Sequence, residues 1–188
     1  MKKITVRDIL IPTLSLFLIC LVVTAILSVT NALTADRIAQ NEQQSKETSM
    51  LAVCPDADSF DEIIDGVLYA ATDSGGNIIG YAVSTAATGY GGQVKVMTGI
   101  DTDGVIIGVD VYNNDDETPG LGQNTSNDSF TDQYRTLSAD RSIAVSKDSD
   151  GGQTIDAVTS ATISSRAVTA AVNEACDIYR QTIEKEGE

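Results

Sequence analysis

The sequence predicts an α+β domain carried behind an N-terminal transmembrane helix. Three observations lead there: an uncharged run from Ile9 to Val29, two Gly-bearing turns each followed by an apolar run, and a helical apolar stripe from Val168 to Tyr179. A run of 21 residues spans ~31 Å as a helix at about 1.5 Å per residue, close to the hydrocarbon thickness of a bilayer. The turns and the stripe lie in the following 158 residues, enough for one ordinary domain and no second large one.

Lys2, Lys3 and Arg7 precede the apolar run, whereas the first charge after it is Asp36. The positive-inside rule therefore keeps the N-terminus in the cytoplasm and sends the domain to the other side. Ala32 to Ala35 offers small residues to a signal peptidase, but the apolar run exceeds a typical signal core, which favours a retained anchor. From Ala32 to about Ala52 no Gly or Pro interrupts a polar stretch that carries Leu33, Ile38 and Leu51, which suits a helical stalk. Asp58 to Asp65 reads as a short acidic helix or turn that ends at Gly66.

Asp73 to Gly80 is echoed 28 positions later by Asp101 to Gly108. Each copy is a turn followed by an apolar run, and with Gly66 to Thr72 and Gln93 to Ile100 in front of them they predict an antiparallel meander. Thr88 to Gly92 and Asp115 to Gly122 are two Gly-rich loops. A small helix is expected at Ser129 to Tyr134, a strand at Ser142 to Ser146, a turn at Asp148 to Gly152, and a helix from about Ile163 almost to the C-terminus. The chain divides accordingly into an anchor at 1–30, a stalk at 31–55 and a domain at 56–188.

Outside the first thirty residues stand 9 basic and 26 acidic side chains, a net charge of −17 that repels phosphate backbones and excludes nucleic-acid binding. The chain has no histidine, so the commonest general base and zinc ligand are both missing. No catalytic residue and no metal ligand is assigned. Cys54 and Cys176 lie too far apart for a metal motif, and either a disulfide or two free thiols is compatible with their spacing.

The chemistry concentrates between Asp156 and Arg166, where Thr159, Ser160, Thr162, Ser164 and Ser165 place five hydroxyls in seven positions ahead of the last helix. Such a cluster is a natural helix N-cap. The same free N-H groups and the helix dipole also make a phosphate site, and Ser160 and Ala161 are small enough to let a phosphate approach.

The order Asp156-x-x-Thr159-Ser160-Ala161-Thr162-x-Ser164 resembles the Asp-x-x-Ser/Thr-Gly-Ala-Thr-x-Ser/Thr signature of covalently flavinylated FMN-binding domains. The resemblance implies FMN joined through its phosphate to Thr162, with Asp156, Thr159, Ser160, Ala161 and Ser164 as the recognition frame. Ser160 stands where that signature usually has Gly. Glu117-Thr118-Pro119-Gly120-Leu121-Gly122 and Gly89-Tyr90-Gly91-Gly92 are similar to loops of two families. One is the G subunit of the Rnf ion-translocating ferredoxin:NAD oxidoreductase, and the other is the C subunit of the sodium-pumping NADH:quinone oxidoreductase. Relatives often carry a His just before the first of these loops, where this chain has Asn113 to Asp116.

A proline-stiffened, glycine-permitted backbone can lie flat beside a planar ligand, so Glu117, Thr118, Gly120, Leu121, Gly122 and Tyr90 are expected around the flavin. Leu121 would give an apolar contact, and Glu117 either accepts a hydrogen bond or is solvated. The chain's length suits the Rnf G subunit better than the usually longer C subunit of the quinone pump. The implied role is electron transfer between reduced ferredoxin and NAD, with other membrane and iron-sulfur subunits as partners. The resemblance also implies maturation by a flavin transferase that uses FAD and a divalent cation. A part equivalent to the quinone pump's C subunit and a stand-alone extracellular flavinylated carrier are the rivals.

Overall fold

The structure is a computed structural model that describes residues 6–146 and 152–183. It divides into two compact units, with the boundary between Gln43 and Gln44. The first consists of helix from Val6 onward, and its side chains from Ile9 to Val29 are exposed, as a lipid-facing surface requires. That helix, α1, runs unbroken over Val6–Val53 and is long and apolar enough to cross a membrane. The predicted stalk is thus the continuation of the same helix.

The second unit begins with the last ten residues of α1. Five antiparallel strands follow in sequence order: β1 Ser59–Ile64, β2 Leu68–Thr72, β3 Ile78–Thr88, β4 Gln93–Asp101 and β5 Ile106–Asn113. The predicted meander is present, and its two echoed turns match in detail. Gly76 and Gly104 sit at φ 77° and 76°, a left-handed backbone that favours glycine. In each, the leading aspartate, Asp73 or Asp101, accepts N-H bonds from residues two and four positions later.

Asp58 to Asp65 differs from expectation, because Ser59–Ile64 is a strand paired with β2. It is the edge of the sheet, exposed at five of its six positions, so it carries none of the apolar alternation that marks a half-buried strand. Its acidic side chains face solvent, as edge strands commonly arrange. The small helix is present as α2 Asp128–Thr131 followed by a 3-10 turn at Asp132–Tyr134. Short strands β6 Ile143–Val145 and β7 Gln153–Ile155 pair in parallel. The predicted turn at 148–152 lies outside the described residues except for Gly152. The last helix, α3, covers Thr162–Thr182.

The sheet buries both faces. On one, Val168, Ala171, Val172, Ala175 and Tyr179 of α3 pack into a cluster with Leu68, Val83, Val94, Val96 and Ile106. Burial of each large aliphatic side chain stabilises by roughly 1.5–3 kcal/mol, more than the net ~1 kcal/mol of a typical hydrogen bond. On the other, Met50, Val53 and Cys54 at the end of α1 pack with Ala71, Ala82 and Met97. The close approach there depends on Gly99 and Gly108, which face each other across β4 and β5. A Cβ at Gly99 would lie 2.6 Å from the Val53 carbonyl oxygen, and one at Gly108 3.1 Å from the Val53 Cα. Ser49 donates to Asp110 at 2.5 Å, and Lys46 reaches the Gly66 carbonyl at 2.6 Å, so the end of α1 belongs to the domain's own fold.

The opposite faces also settle the cysteines. Cys54 and Cys176 are free, buried and in different clusters. Burial pushes their thiols up to about 12 and about 11, which makes both poor nucleophiles.

Thr98 is fully buried on β4, on the same side as Val94 and Val96, and its hydroxyl has no hydrogen-bond partner. A buried hydroxyl without a partner costs on the order of 1–3 kcal/mol. Thr98→Val keeps the shape and removes that cost, so it should raise stability by about 1 kcal/mol in thermal or denaturant unfolding; a loss of stability would mean that the hydroxyl has a partner after all.

Candidate functional site

Three segments converge at one end of the sheet: the β3–β4 turn at 89–92, the loop 114–122 after β5, and the stretch 156–164 that leads into α3. The side chain of Glu117 binds them together. It is 1% exposed, and its carboxylate accepts the N-H of Tyr90 at 2.7 Å, the N-H of Gly91 at 3.1 Å and the hydroxyl of Ser164 at 2.6 Å. The first two bonds reach the β3–β4 turn and the third reaches the first turn of α3.

The glycines of both loops exist to make room for this arrangement. A Cβ at Gly89 would stand 2.0 Å from Glu117 Oε1, and one at Gly122 would stand 2.2 Å from Glu117 Oε2. At Gly91 a Cβ would meet the Asp116 carbonyl oxygen at 1.9 Å. None of these can be relieved by rotating a flexible tip, since the atoms met are backbone or a carboxylate that is itself held. Gly120 differs: its surroundings are open, and its φ of 74° is what demands glycine.

The approach to α3 is fastened separately. Gln133 uses its side-chain amide like a peptide group, accepting the Asp156 N-H at 2.7 Å and donating to the Asp156 carbonyl at 3.2 Å. Ser165 accepts the Val158 N-H at 3.0 Å and donates to the Ala161 carbonyl at 2.9 Å. Between these anchors Ser160 adopts φ 63°, a left-handed backbone in a residue other than glycine. The chain thereby turns sharply and delivers Ala161, at φ −124°, as the residue before the helix. The expected hydroxyl N-cap is not made, since Ala161 has no side-chain cap and the segment is closed from inside the helix by Ser165. The first intrahelical bond runs from Ser165 N-H to the Ala161 carbonyl, so the N-H groups of Thr162, Ile163 and Ser164 precede it.

Against this end of α3 lies an open cleft of about 510 Å³, within the range of small-molecule and cofactor sites. Ser160, Ala161, Thr162, Ile163 and Ser164 form one side, with Tyr90, Thr118, Leu121 and Gly122 opposite. Thr162 is half-buried in it, and the large side chains beside it are exposed, Tyr90 at 71%, Ile163 at 52% and Leu121 at 41%. Three accessible apolar surfaces beside the Thr162 hydroxyl at a helix N-terminus fit a ligand with a flat apolar body and an anionic end.

The remaining expected site residues lie elsewhere. Asp156, Thr159 and Gly120 line a separate hollow of about 480 Å³ with Asn124, Phe130 and Gln133. Glu117 lines neither; it is not solvated, and its oxygens are engaged by protein donors behind the cleft wall. Ser164 contributes to the wall, but its hydroxyl is turned inward to Glu117. Gln133 and Ser165 position the site, and no sequence motif marks either for that role. Among the described residues no group of His, Cys, Asp or Glu side chains is arranged to hold a metal.

Residues 89–177 match the family model of the FMN-binding domain, and residues 1–53 match that of the RnfG N-terminal region. The chain is 33% identical over 165 residues to the G subunit of the proton-translocating ferredoxin:NAD(+) oxidoreductase complex of Clostridium ljungdahlii, covering 88% of each protein. It is 34% identical over 187 residues to the G subunit of the Na(+)-translocating ferredoxin:NAD(+) oxidoreductase complex of Acetobacterium woodii, covering 89% of each. Two solved structures share the fold. The C subunit of the Na(+)-translocating NADH-quinone reductase of Parabacteroides distasonis superimposes with a TM-score of 0.50 at 22% identity, over 60% of this chain and 59% of that one. NqrC of Shewanella oneidensis does so with a TM-score of 0.52 at 20% identity, over 63% of this chain and 59% of its own.

Ser160 provides a direct test of the local geometry. A left-handed backbone costs a residue with a Cβ roughly 1–2 kcal/mol, whereas glycine adds roughly 0.4–1 kcal/mol of unfolded-state entropy. The strain wins. Ser160→Gly should stabilise the domain by about 0.5–1 kcal/mol in thermal unfolding, and a destabilised variant would contradict the turn as described.

Proposed function

The chain belongs to the G-subunit family of ion-translocating oxidoreductase complexes and contains its FMN-binding domain, and from that premise we propose that it carries one FMN joined covalently to Thr162 and passes electrons from reduced ferredoxin toward NAD. It is a membrane-associated electron-transfer subunit. Other membrane and iron-sulfur subunits of an Rnf-type complex complete the path, and a separate flavin transferase installs the group. The chain divides functionally into an anchor at 1–30, a stalk that continues it, and an FMN-binding domain that takes in the end of α1, where Met50, Val53 and Cys54 pack onto the sheet.

The observation that carries this reading is the place of Thr162. It is the one residue of the hydroxyl cluster that both stands in the acceptor register of the signature and shares the cleft with Tyr90, Leu121 and Ile163. The residues present fit FMN in their donor set. The N-H groups of Thr162, Ile163 and Ser164 at the positive end of α3 suit a phosphate, and the exposed Tyr90, Leu121 and Ile163 suit a flat ring system. FMN supplies one- and two-electron chemistry when it is present. This chain's own residues supply the tether, the apolar enclosure and a wall stiffened by Glu117.

The other hydroxyls are poorer acceptors. Ser164 and Ser165 are buried and committed to Glu117 and to the Val158–Ala161 turn. Thr159 lines the separate hollow, and Ser160, though exposed in the cleft, stands outside the acceptor register of the signature. The hollow lined by Asp156 and Thr159 suits recognition of the chain during maturation better than contact with the bound flavin.

Thr162→Ala should abolish flavin fluorescence of the denatured chain in a gel while the protein still folds, because it removes one half-buried hydroxyl and opens no large cavity. Fluorescence retained in that variant would place the bond on another side chain. For topology, the basic flank at Lys2, Lys3 and Arg7 supports an extracytoplasmic domain. Protease added to intact, wall-stripped cells should digest the domain; protection there, with digestion in inverted vesicles, would reverse the orientation.

A further inference from the structure

We infer that Glu117 holds down the reduction potential of the group bound in the Thr162 cleft, acting through its charge from behind the cleft wall; this rests on the FMN reading above. The first support is burial without a counter-charge. Glu117 is 1% exposed, and its three hydrogen-bond donors, the N-H groups of Tyr90 and Gly91 and the hydroxyl of Ser164, all lack formal charge. No salt bridge among the described residues involves it; the ion pairs of Arg135 with Asp132 and of Arg180 with Asp177 lie elsewhere. Neutral donors stabilise a carboxylate in place without cancelling its field.

The second support is distance. Tyr90, Gly122 and Ser164 all line the cleft, Ser164 Oγ lies 2.6 Å from Glu117 Oε2, and a Cβ on Gly122 would lie 2.2 Å from that same oxygen. One layer of atoms therefore separates the carboxylate from the cleft. Protein in that layer screens charge far less than water does. Electrons added to a group in the cleft are repelled by it, so the oxidised form is favoured and the potential falls.

The third support is that nothing else requires the charge. Holding the two N-H groups and the Ser164 hydroxyl needs an acceptor of this size, and glutamine supplies one: its oxygen can accept the Tyr90 and Gly91 N-H groups while its amide donates to Ser164 Oγ. Glu117→Gln therefore separates the charge from the scaffold. A purely structural residue would tolerate the exchange with the redox behaviour unchanged.

The test uses the full-length membrane chain, flavinylated in its native host. Gel fluorescence of the denatured wild-type chain first checks the FMN reading itself; its absence would sink that reading and not the electrostatic one. Spectroelectrochemical titration of Glu117→Gln should then show an upward shift, with the ratio of reduced to oxidised flavin at a fixed applied potential raised by at least about tenfold, the effect of one unit charge about 12 Å away at an effective dielectric constant of about 20, and by more if the group lies nearer. An unchanged potential overturns the inference. Ser164→Ala supplies the opposite sign, because it removes a donor and leaves the carboxylate's field less damped; it should shift the potential downward, and it decides the matter if Glu117→Gln does not accumulate. Amide hydrogen exchange in Thr162→Ala chain, which carries no flavin, reads the clamp by itself. Tyr90 and Gly91 should stay protected in Thr162→Ala and in its combination with Glu117→Gln. Loss of their protection with the glutamine would assign any potential shift to a collapsed wall and overturn the charge argument.

Discussion

The site rests on one buried carboxylate. Glu117 is accepted into the interior because two backbone N-H groups and a serine hydroxyl satisfy it, and those donors come from two segments far apart in sequence. Removing the carboxylate would take away the one acceptor that ties the Tyr90 and Gly91 N-H groups and the Ser164 hydroxyl together. The surrounding glycines follow from the same constraint, since Gly89 and Gly122 are the residues whose Cβ atoms would occupy the space of the carboxylate oxygens. The two Gly-rich loops are thus halves of one structure.

Around that clamp the fold places a rigid sheet between two helices. α3 presses one face with Val168, Val172 and Tyr179, and its first turn delivers Thr162 and Ser164 to the cleft. The end of α1 presses the other face at the Gly99–Gly108 pair. The residues that enclose the cleft, Tyr90, Leu121 and Ile163, remain exposed where a ligand would meet them. At the cleft, the left-handed backbone of Ser160 sets where α3 starts. A rigid frame with an accessible hydroxyl fits a cofactor that stays attached while partners exchange electrons with it.

Much of this is legible in the sequence because it is periodic or local. The uncharged run of Ile9 to Val29 and the apolar stripe of α3 read directly as helices, and the echoed Asp-to-Gly turns mark the hairpins. β1 does not read as a strand, since an edge exposed at five of six positions carries no alternation. At the site, the hydroxyl segment and both glycine loops are visible as motifs, and the serine at the usual glycine position coincides with the left-handed turn. Which side chain ties one motif to another is not legible. Glu117 and Ser164 lie 47 positions apart, and Gln133 and Asp156 lie 23 apart. No pattern within either segment records such a partnership, so Glu117 looks like a solvent or ligand contact when it is a keystone of the wall, and Asp156 and Thr159 group in sequence with a cleft they do not line.

The most direct measurement is mass spectrometry of the natively expressed chain, intact and then digested with trypsin. The whole chain should gain the mass of one FMN with loss of water, the gain should fall on the peptide from Asp148 to Arg166, and fragmentation should assign it to Thr162. An unmodified chain from cells that contain the flavin transferase, or a modification resolved to Thr159, Ser160, Ser164 or Ser165, would contradict covalent attachment at Thr162.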